Sequence, residues 1–273
     1  MKKIIVLPNS KELLNTCLSK NIDGVILPIK DLSVNSTYYL SLKEVQEIIK
    51  KFRNKEINIL LNKNMTNDDL PLLEETLITL SKMNISKVLF YDLAVVNICK
   101  RLNLNLNLAI FQDHLNSSTN SNLFYKRRGI NTSVITNDIT YEEINEIAKE
   151  QSLMMFCYGY LPIFYSRRYL ISNYLDYIKK KKKDTLYKIK DNNNSYIIEE
   201  EKYGTTIYTK EPINLINYID KLDIDYIILN SIYIDNKEFI KVLNNYIEKR
   251  KDNKDHYTGF IDKKTVYKVE DYE

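Results

Sequence analysis

Lys3-Ile4-Ile5-Val6-Leu7-Pro8-Asn9-Ser10-Lys11-Glu12-Leu13-Leu14 stands near the start of the chain, and Gly24-Val25-Ile26-Leu27-Pro28 follows about one helix length later. A short run apolar on both faces, a turn, a capped helical run and a second apolar run together make a strand–helix–strand unit. The same beat continues. Further candidate strands are Ile57–Leu61, Lys87–Tyr91, Leu106–Phe111, Thr132–Thr136 and Leu153–Tyr158, with Asp225–Leu229 much later. Between them lie helical faces: Leu42, Val45, Ile48, Ile49 and Phe52; Leu72, Leu73, Leu77, Leu80 and Met83; and Ile144, Ile147 and Ala148. Ser10, Ser41, Asn67 and Thr140 each precede such a run as start signals. Strands apolar on both faces, each followed by a helix, argue for a parallel sheet wrapped by helices. Seven consecutive units and a late eighth strand fit a (β/α)8 TIM-type barrel. An open doubly wound sheet is the alternative, because periodicity does not count closure.

The beat breaks between Thr185 and Lys210. Leu186–Ile189, Ser195–Ile198 and Thr205–Tyr208 read as short strands separated by Asp191–Asn194 and Tyr203-Gly204. This predicts a small antiparallel β insertion between units seven and eight. A helix is expected from about Pro212 and another from about Asn236 to Lys251. No Gly-, Ser- or Pro-rich linker appears, so residues 1–251 read as one barrel domain containing the insertion at about 185–210. Residues 252–273 read as a polar C-terminal tail.

Composition excludes several functions. The 273 residues include five Gly, five Pro, three Cys, two His and no Trp, against 22 Tyr. Of 40 basic residues 33 are Lys and seven Arg, a bias that lowers the weight of single Lys, Asn, Ile and Tyr residues and raises that of Gly, Pro and Arg. The glycines build neither a dinucleotide fingerprint nor a phosphate loop. His114 and His256 cannot form a zinc helix, and Cys17, Cys99 and Cys157 contain no C-x-x-C pair. Three unpaired cysteines, a short N-terminal apolar run and no span-length hydrophobic stretch predict a cytoplasmic protein away from the membrane. The net charge of +4 is only mildly basic. The local clusters Lys126-Arg127-Arg128, Arg167-Arg168 and Lys179–Lys183 carry more information.

The C-terminal ends of barrel strands are where function collects, with phosphate often held after the last units. The segment after strand seven, Phe156 to Leu175, holds a Gly, a Pro and two Arg. Ser166 is expected to cap the next helix, which would put Arg167 and Arg168 in its first turn, beside free amides suited to an anion. Tyr158, Tyr160, Phe164, Tyr165 and Tyr169 supply faces on which bases can stack. Against that stands packing of the aromatics on the insertion, with the Arg pair bridged to Glu199, Glu200 and Glu201. Catalytic candidates are sparse. His114, in Gln112-Asp113-His114, is a base only if a carboxylate orients it. Cys157 and Ser166 are nucleophiles only with a base nearby, and the more ordinary role for Cys157 is a small buried apolar residue. His256, in a polar segment, is expected to be exposed.

Tyr165-Ser166-Arg167-Arg168 and Ser172-Asn173-Tyr174, following Gly159, resemble the signature of the collagenase-like peptidases of unassigned catalytic type, the U32 family. Gly204-Thr205-Thr206-Ile207 with Ile224-Asp225 resembles that family's return to the barrel. Thr258-Gly259-Phe260 with Thr265–Val269 resembles the tail of one bacterial branch. The family is named for collagen degradation, while other members are implicated in oxygen-independent hydroxylation of RNA and carry a four-cysteine iron–sulfur site. The branch with this tail resembles one half of a paired tRNA wobble-uridine hydroxylation system. Here Pro162 and Tyr169 stand where the signature has cluster cysteines, and Asn230-Ser231 replaces an acidic residue and Gly. The resemblance therefore implies a cluster-free subunit with no cofactor of its own, working with tRNA and with a cluster-bearing paralogue. The missing cysteines argue against catalysis by this chain alone. Its RNA-binding residues would be Tyr158, Tyr165, Ser166, Arg167, Arg168, Asn173, Arg127 and Arg128. The alternatives are a peptidase and a degenerate, non-catalytic barrel.

Overall fold

The computed structural model describes residues 2–112, 115–192 and 194–263. Eight parallel strands close into a barrel: β1 (Lys3–Leu7), β2 (Gly24–Pro28), β3 (Glu56–Leu61), β4 (Lys87–Phe90), β5 (Leu108–Phe111), β6 (Thr132–Val134), β7 (Ser152–Gly159) and, after the insertion, β13 (Tyr226–Asn230). β6 pairs with β7, β7 with β13, and β13 with β1, with Lys3 opposite Tyr226 and Leu7 opposite Asn230. The doubly wound alternative is excluded by this closure.

Alternation along each strand makes two cores. Ile5, Ile26, Leu60, Leu89, Met154, Phe156 and Ile228 fill the barrel, where Phe156 meets Phe111 edge to face at 5.9 Å. Val6, Val25, Leu27, Ile59, Val88 and Leu153 face the surrounding helices. The barrel base is polar: Lys87 donates to the Tyr226 hydroxyl at 2.7 Å, and Lys3 pairs with Glu56.

The outer layer comprises α1 (Lys11–Leu18), α2 (Leu42–Lys51), α3 (Leu70–Leu80), α4 (Ala94–Arg101), α5 (Thr119–Lys126), α6 (Tyr141–Ala148) and, after the insertion, α8 (Asn236–Glu248). Ser10, Ser41 and Thr140 accept from the amides of Leu13, Glu44 and Glu143, as their side-chain chemistry dictates. Asn67 opens a short 3-10 turn capped by Thr66, whose amide and hydroxyl both donate to Asp69; α3 itself begins at Leu70 with Asp69 as its N-cap. Leu72, expected on the buried face, is exposed.

The insertion starts earlier than the sequence suggests. At Gly159, φ +123°, the chain leaves the barrel and enters β8 (Pro162–Ser166). With α7 (Leu170–Tyr177), β9 (Leu186–Asp191), β10 (Asn194–Glu201) and β11 (Gly204–Tyr208), it forms a four-stranded antiparallel sheet of order β8-β11-β10-β9. No long helix follows Pro212. Instead β12 (Ile213–Asn214) pairs antiparallel with the end of β7, and a single 3-10 turn covers Ile219–Lys221. Asn214 is fixed by the Tyr246 hydroxyl and by its own amide donating to Tyr257, which leaves no register for a helix. The tail packs onto the barrel through 263: Ile261 is buried, and its carbonyl accepts from the Tyr141 amide. Residues Thr265–Val269 of the expected tail motif lie outside the described residues.

Candidate functional site

The C-terminal ends of β2 to β6 and the first insertion strand enclose a cavity of about 410 Å³. Its wall includes Asn35, Asn62, Asn64, Tyr91, Asp138, Phe164 and Tyr165, and Phe111 lies at the barrel end. Asn62 is committed to holding the β2–α2 loop: its amide donates to the Val34 carbonyl and accepts from the Val34 amide at 2.9 Å. Asp138 accepts from the Thr136 hydroxyl through one oxygen. The wall is lined with amides, a carboxylate and aromatic rings.

The insertion sheet docks on the β2–α2 loop. Thr206 donates to Asn35 at 2.8 Å, Tyr39 to Glu201 at 3.1 Å, and Tyr203 and Lys202 both bind Asp31. Lys63, buried beneath, sits 3.9 Å from the Tyr203 ring centre and pairs with Asp69. Along β10 the side chains alternate. Glu199 is opposite Thr206 and shares its face with Glu201, whereas Glu200 points to the other face. Burial and the neighbouring Glu199 charge push the Glu201 carboxyl up to about 7, outweighing the opposing Tyr39 hydrogen bond. Burial raises Glu199 as well. Two carboxyls, both raised by burial, therefore share one face of β10, where Tyr39 of the β2–α2 loop reaches Glu201. The apolar run that marks this strand in the sequence ends at Ile198, short of the pair. Extending the period-two pattern through Glu-Glu-Glu separates 199 and 201 from 200.

Glu200 accounts for a second correction. It accepts from the Ile171 and Ser172 amides at 2.8 and 3.0 Å, from the Ser172 hydroxyl, and pairs with Lys182. Burial works to raise this carboxyl, but those partners outweigh it and hold it below its ordinary value. The first-turn amides expected to meet an external anion already have one. Ser166 ends β8 instead of capping α7, and its hydroxyl accepts from the Arg168 amide. Arg167 and Arg168 precede the helix and are exposed. Neither joins an ion pair among the described residues, so the bridge to Glu199–Glu201 is absent.

The remaining candidates disperse. Tyr165 lines the cavity and donates to the Tyr203 carbonyl at 2.7 Å. Asn173 is exposed on α7. Tyr158 is 3% exposed and packs against Phe239, so it offers no face to a base. Alternation with Leu153 and Met155 turns Cys157 toward the helix layer, and a register shift opposite Ile228 and Leu229 turns Tyr158 the same way. Cys157 is thus fully buried away from the cavity, and burial pushes its thiol far up. Arg127 and Arg128 end α5 at the barrel base, opposite the mouth, and Arg128 stacks 3.5 Å from the Phe124 ring centre. His256 is half-buried and paired with Asp252 at 2.6 Å, which corrects its expected exposure. His114 lies outside the described residues.

Residues 9–270 match the model of peptidase family U32. The chain belongs to that family. A solved U32 peptidase structure covers 84% of this chain and 92% of its own, with a TM-score of 0.55 at 16% identity, a likeness of fold. The tRNA hydroxylation protein P2 of Bacillus subtilis (strain 168) is 26% identical over 182 residues, 61% of this chain. That match spans 57% of the relative's length.

The thiols of this U32 chain do not fit a four-thiolate cluster. Cys17 is on α1, Cys99 on α4 and Cys157 on β7, each free and buried. Among the described residues no group of three or more His, Cys, Asp or Glu side chains is placed to hold a metal. No described helix is long and apolar enough to cross a membrane.

Proposed function

We propose that this chain is a cluster-free subunit in the 5-hydroxylation of tRNA wobble uridine, paired with a cluster-bearing member of the same family. The observation that carries the reading is the U32 match over residues 9–270 together with the relative named tRNA hydroxylation protein P2. The barrel mouth supports it. A closed-sided cavity lined by amides, a carboxylate and aromatic rings suits the edge and face of a nucleobase. The redox step belongs to the partner, because the three thiols here are scattered and buried. A hydrolytic role finds less support: Cys157 faces the helix layer, and Ser166 bonds to its own turn.

Mass spectrometry of tRNA nucleosides from a strain lacking the gene tests this reading. Loss of 5-hydroxyuridine-derived wobble nucleosides is expected, with restoration by the wild-type gene. Unchanged nucleosides would sink it.

A further inference from the structure

Charge is distributed unevenly over the molecule. Between 162 and 192 stand nine basic and three acidic residues, a net +6, whereas the whole chain carries +4. The remainder is therefore net negative. That segment is β8 and β9, the two edge strands of the insertion sheet, with the helix α7 that connects them. Large apolar or aromatic side chains concentrate in the same place. Of the twelve exposed ones among the described residues, seven fall between 163 and 189. Tyr174 and Tyr177, 62% and 85% exposed, lie three positions apart on one face of α7, followed at once by the lysine run. Exposed rings and guanidiniums gathered in one segment mark a candidate binding surface.

The patch is continuous with the cavity. Phe164 and Tyr165 line the cavity wall, and the same strand runs on into exposed Arg167 and Arg168. A volume of about 410 Å³ lies within the range of small-ligand sites, roughly 300–1,000 Å³. Positive charge interleaved with stacking faces is what single-stranded nucleic acid requires, and chemistry on a base requires that base out of the stack.

We propose that the end of β8 and the exposed face of α7 form an RNA-docking face, which delivers one unstacked base of a single-stranded loop to the barrel-mouth cavity. The proposal rests on the tRNA reading above and adds where the RNA lies. Arg167 and Arg168 bind phosphates flanking the delivered nucleotide, Tyr174 and Tyr177 stack on neighbouring bases, and Asn64 and Asp138 meet the base edge.

Fluorescence anisotropy with a labelled anticodon stem-loop RNA tests the face, using the full chain. Arg167→Glu with Arg168→Glu should weaken binding at least tenfold and shrink the log–log salt slope by roughly one to two. Tyr174→Ala with Tyr177→Ala should weaken loop binding about tenfold and leave binding to a fully paired duplex unchanged. Arg127→Glu with Arg128→Glu, at the opposite end, should bind as wild type. All six side chains are exposed at the surface, and circular dichroism confirms folding of each variant. Wild-type chain that ignores the RNA, or that sediments with phosphatidylserine vesicles instead, overturns the proposal; so does equal loss from the 127/128 pair. The two readings fail separately. Normal RNA binding by the variants with hydroxylation lost in the deletion strain removes only the docking face. Variant-sensitive binding with nucleosides unchanged in that strain removes only the hydroxylation role.

Discussion

β2 of the barrel has no position open to water, whereas β9 of the insertion sheet is exposed at nearly every residue. The barrel strands are apolar on both faces and are held by burial, a non-directional force that tolerates exchange of one aliphatic side chain for another. The insertion sheet is held on the barrel by Thr206 to Asn35, Tyr39 to Glu201 and Tyr203 to Asp31, and α7 is held on it by Glu200. Those contacts are directional and partly ionic, so they respond to pH and to single polar substitutions. One molecule thus combines barrel strands held mainly by burial with a cap attached largely through hydrogen bonds and titratable groups.

The sharpest way to break the contrast is at the junction. Gly159 has φ +123°, and a Cβ there would collide with the Asn230 carbonyl. Gly159→Ala should cost about 3 kcal/mol or more, because strain and overpacking add. Urea denaturation measures this, and a loss below about 1 kcal/mol would mean the exit from the barrel needs no glycine.

A smaller effect separates the two sheets. Glu200→Ala leaves two α7 amides and Lys182 without their anion, costing about 2 kcal/mol. Hydrogen exchange should quicken in α7 and β10 while the protection of β1 to β4 stays as in wild type. Equal losses in both sheets would show that cap and barrel unfold as one unit.

The last test sharpens the pH contrast. Glu201 has an ordinary value of 4.5 and is pushed up to about 7 in the folded protein. Between those values the folded state binds more protons than the unfolded one. Stability is therefore fully present below pH 4.5 and falls as pH rises through 7, by on the order of 2 kcal/mol. Glu201→Gln should flatten that slope and raise the melting temperature at pH 8. A wild-type melting temperature that climbs from pH 5 to 8 in a manner Glu201→Gln does not change would contradict the assignment.

The barrel was legible because burial on both strand faces leaves a local signature: Lys3–Leu7 and Gly24–Pro28 occur in the structure with the bounds their apolar runs suggest. The insertion was legible only in part. Pro162–Ser166 is a strand because its ladder partner is Thr205 to Tyr208, some forty residues on, and no local pattern encodes that pairing. Chain order separates the two arginine pairs: Arg127-Arg128 lie between a helix and the next strand, hence at the base, whereas Arg167-Arg168 follow the strand that lines the mouth. Tyr158 differs for another reason: a bulge adds one residue to β7 and turns its ring to the helix layer, while Cys157 is the small buried apolar residue that its ordinary role suggests.

Asn9 on the first loop donates to the Ser231 carbonyl, joining positions 222 apart, beside the β1–β13 ladder that closes the barrel. During synthesis β1 emerges long before Tyr226–Asn230 exists, so its outer edge stays unpaired through most of elongation. Contacts this distant form late and slowly, and an open apolar strand edge can pair with a neighbouring chain. The finished barrel has no edge at that seam; its nascent form carries one until the last strand arrives.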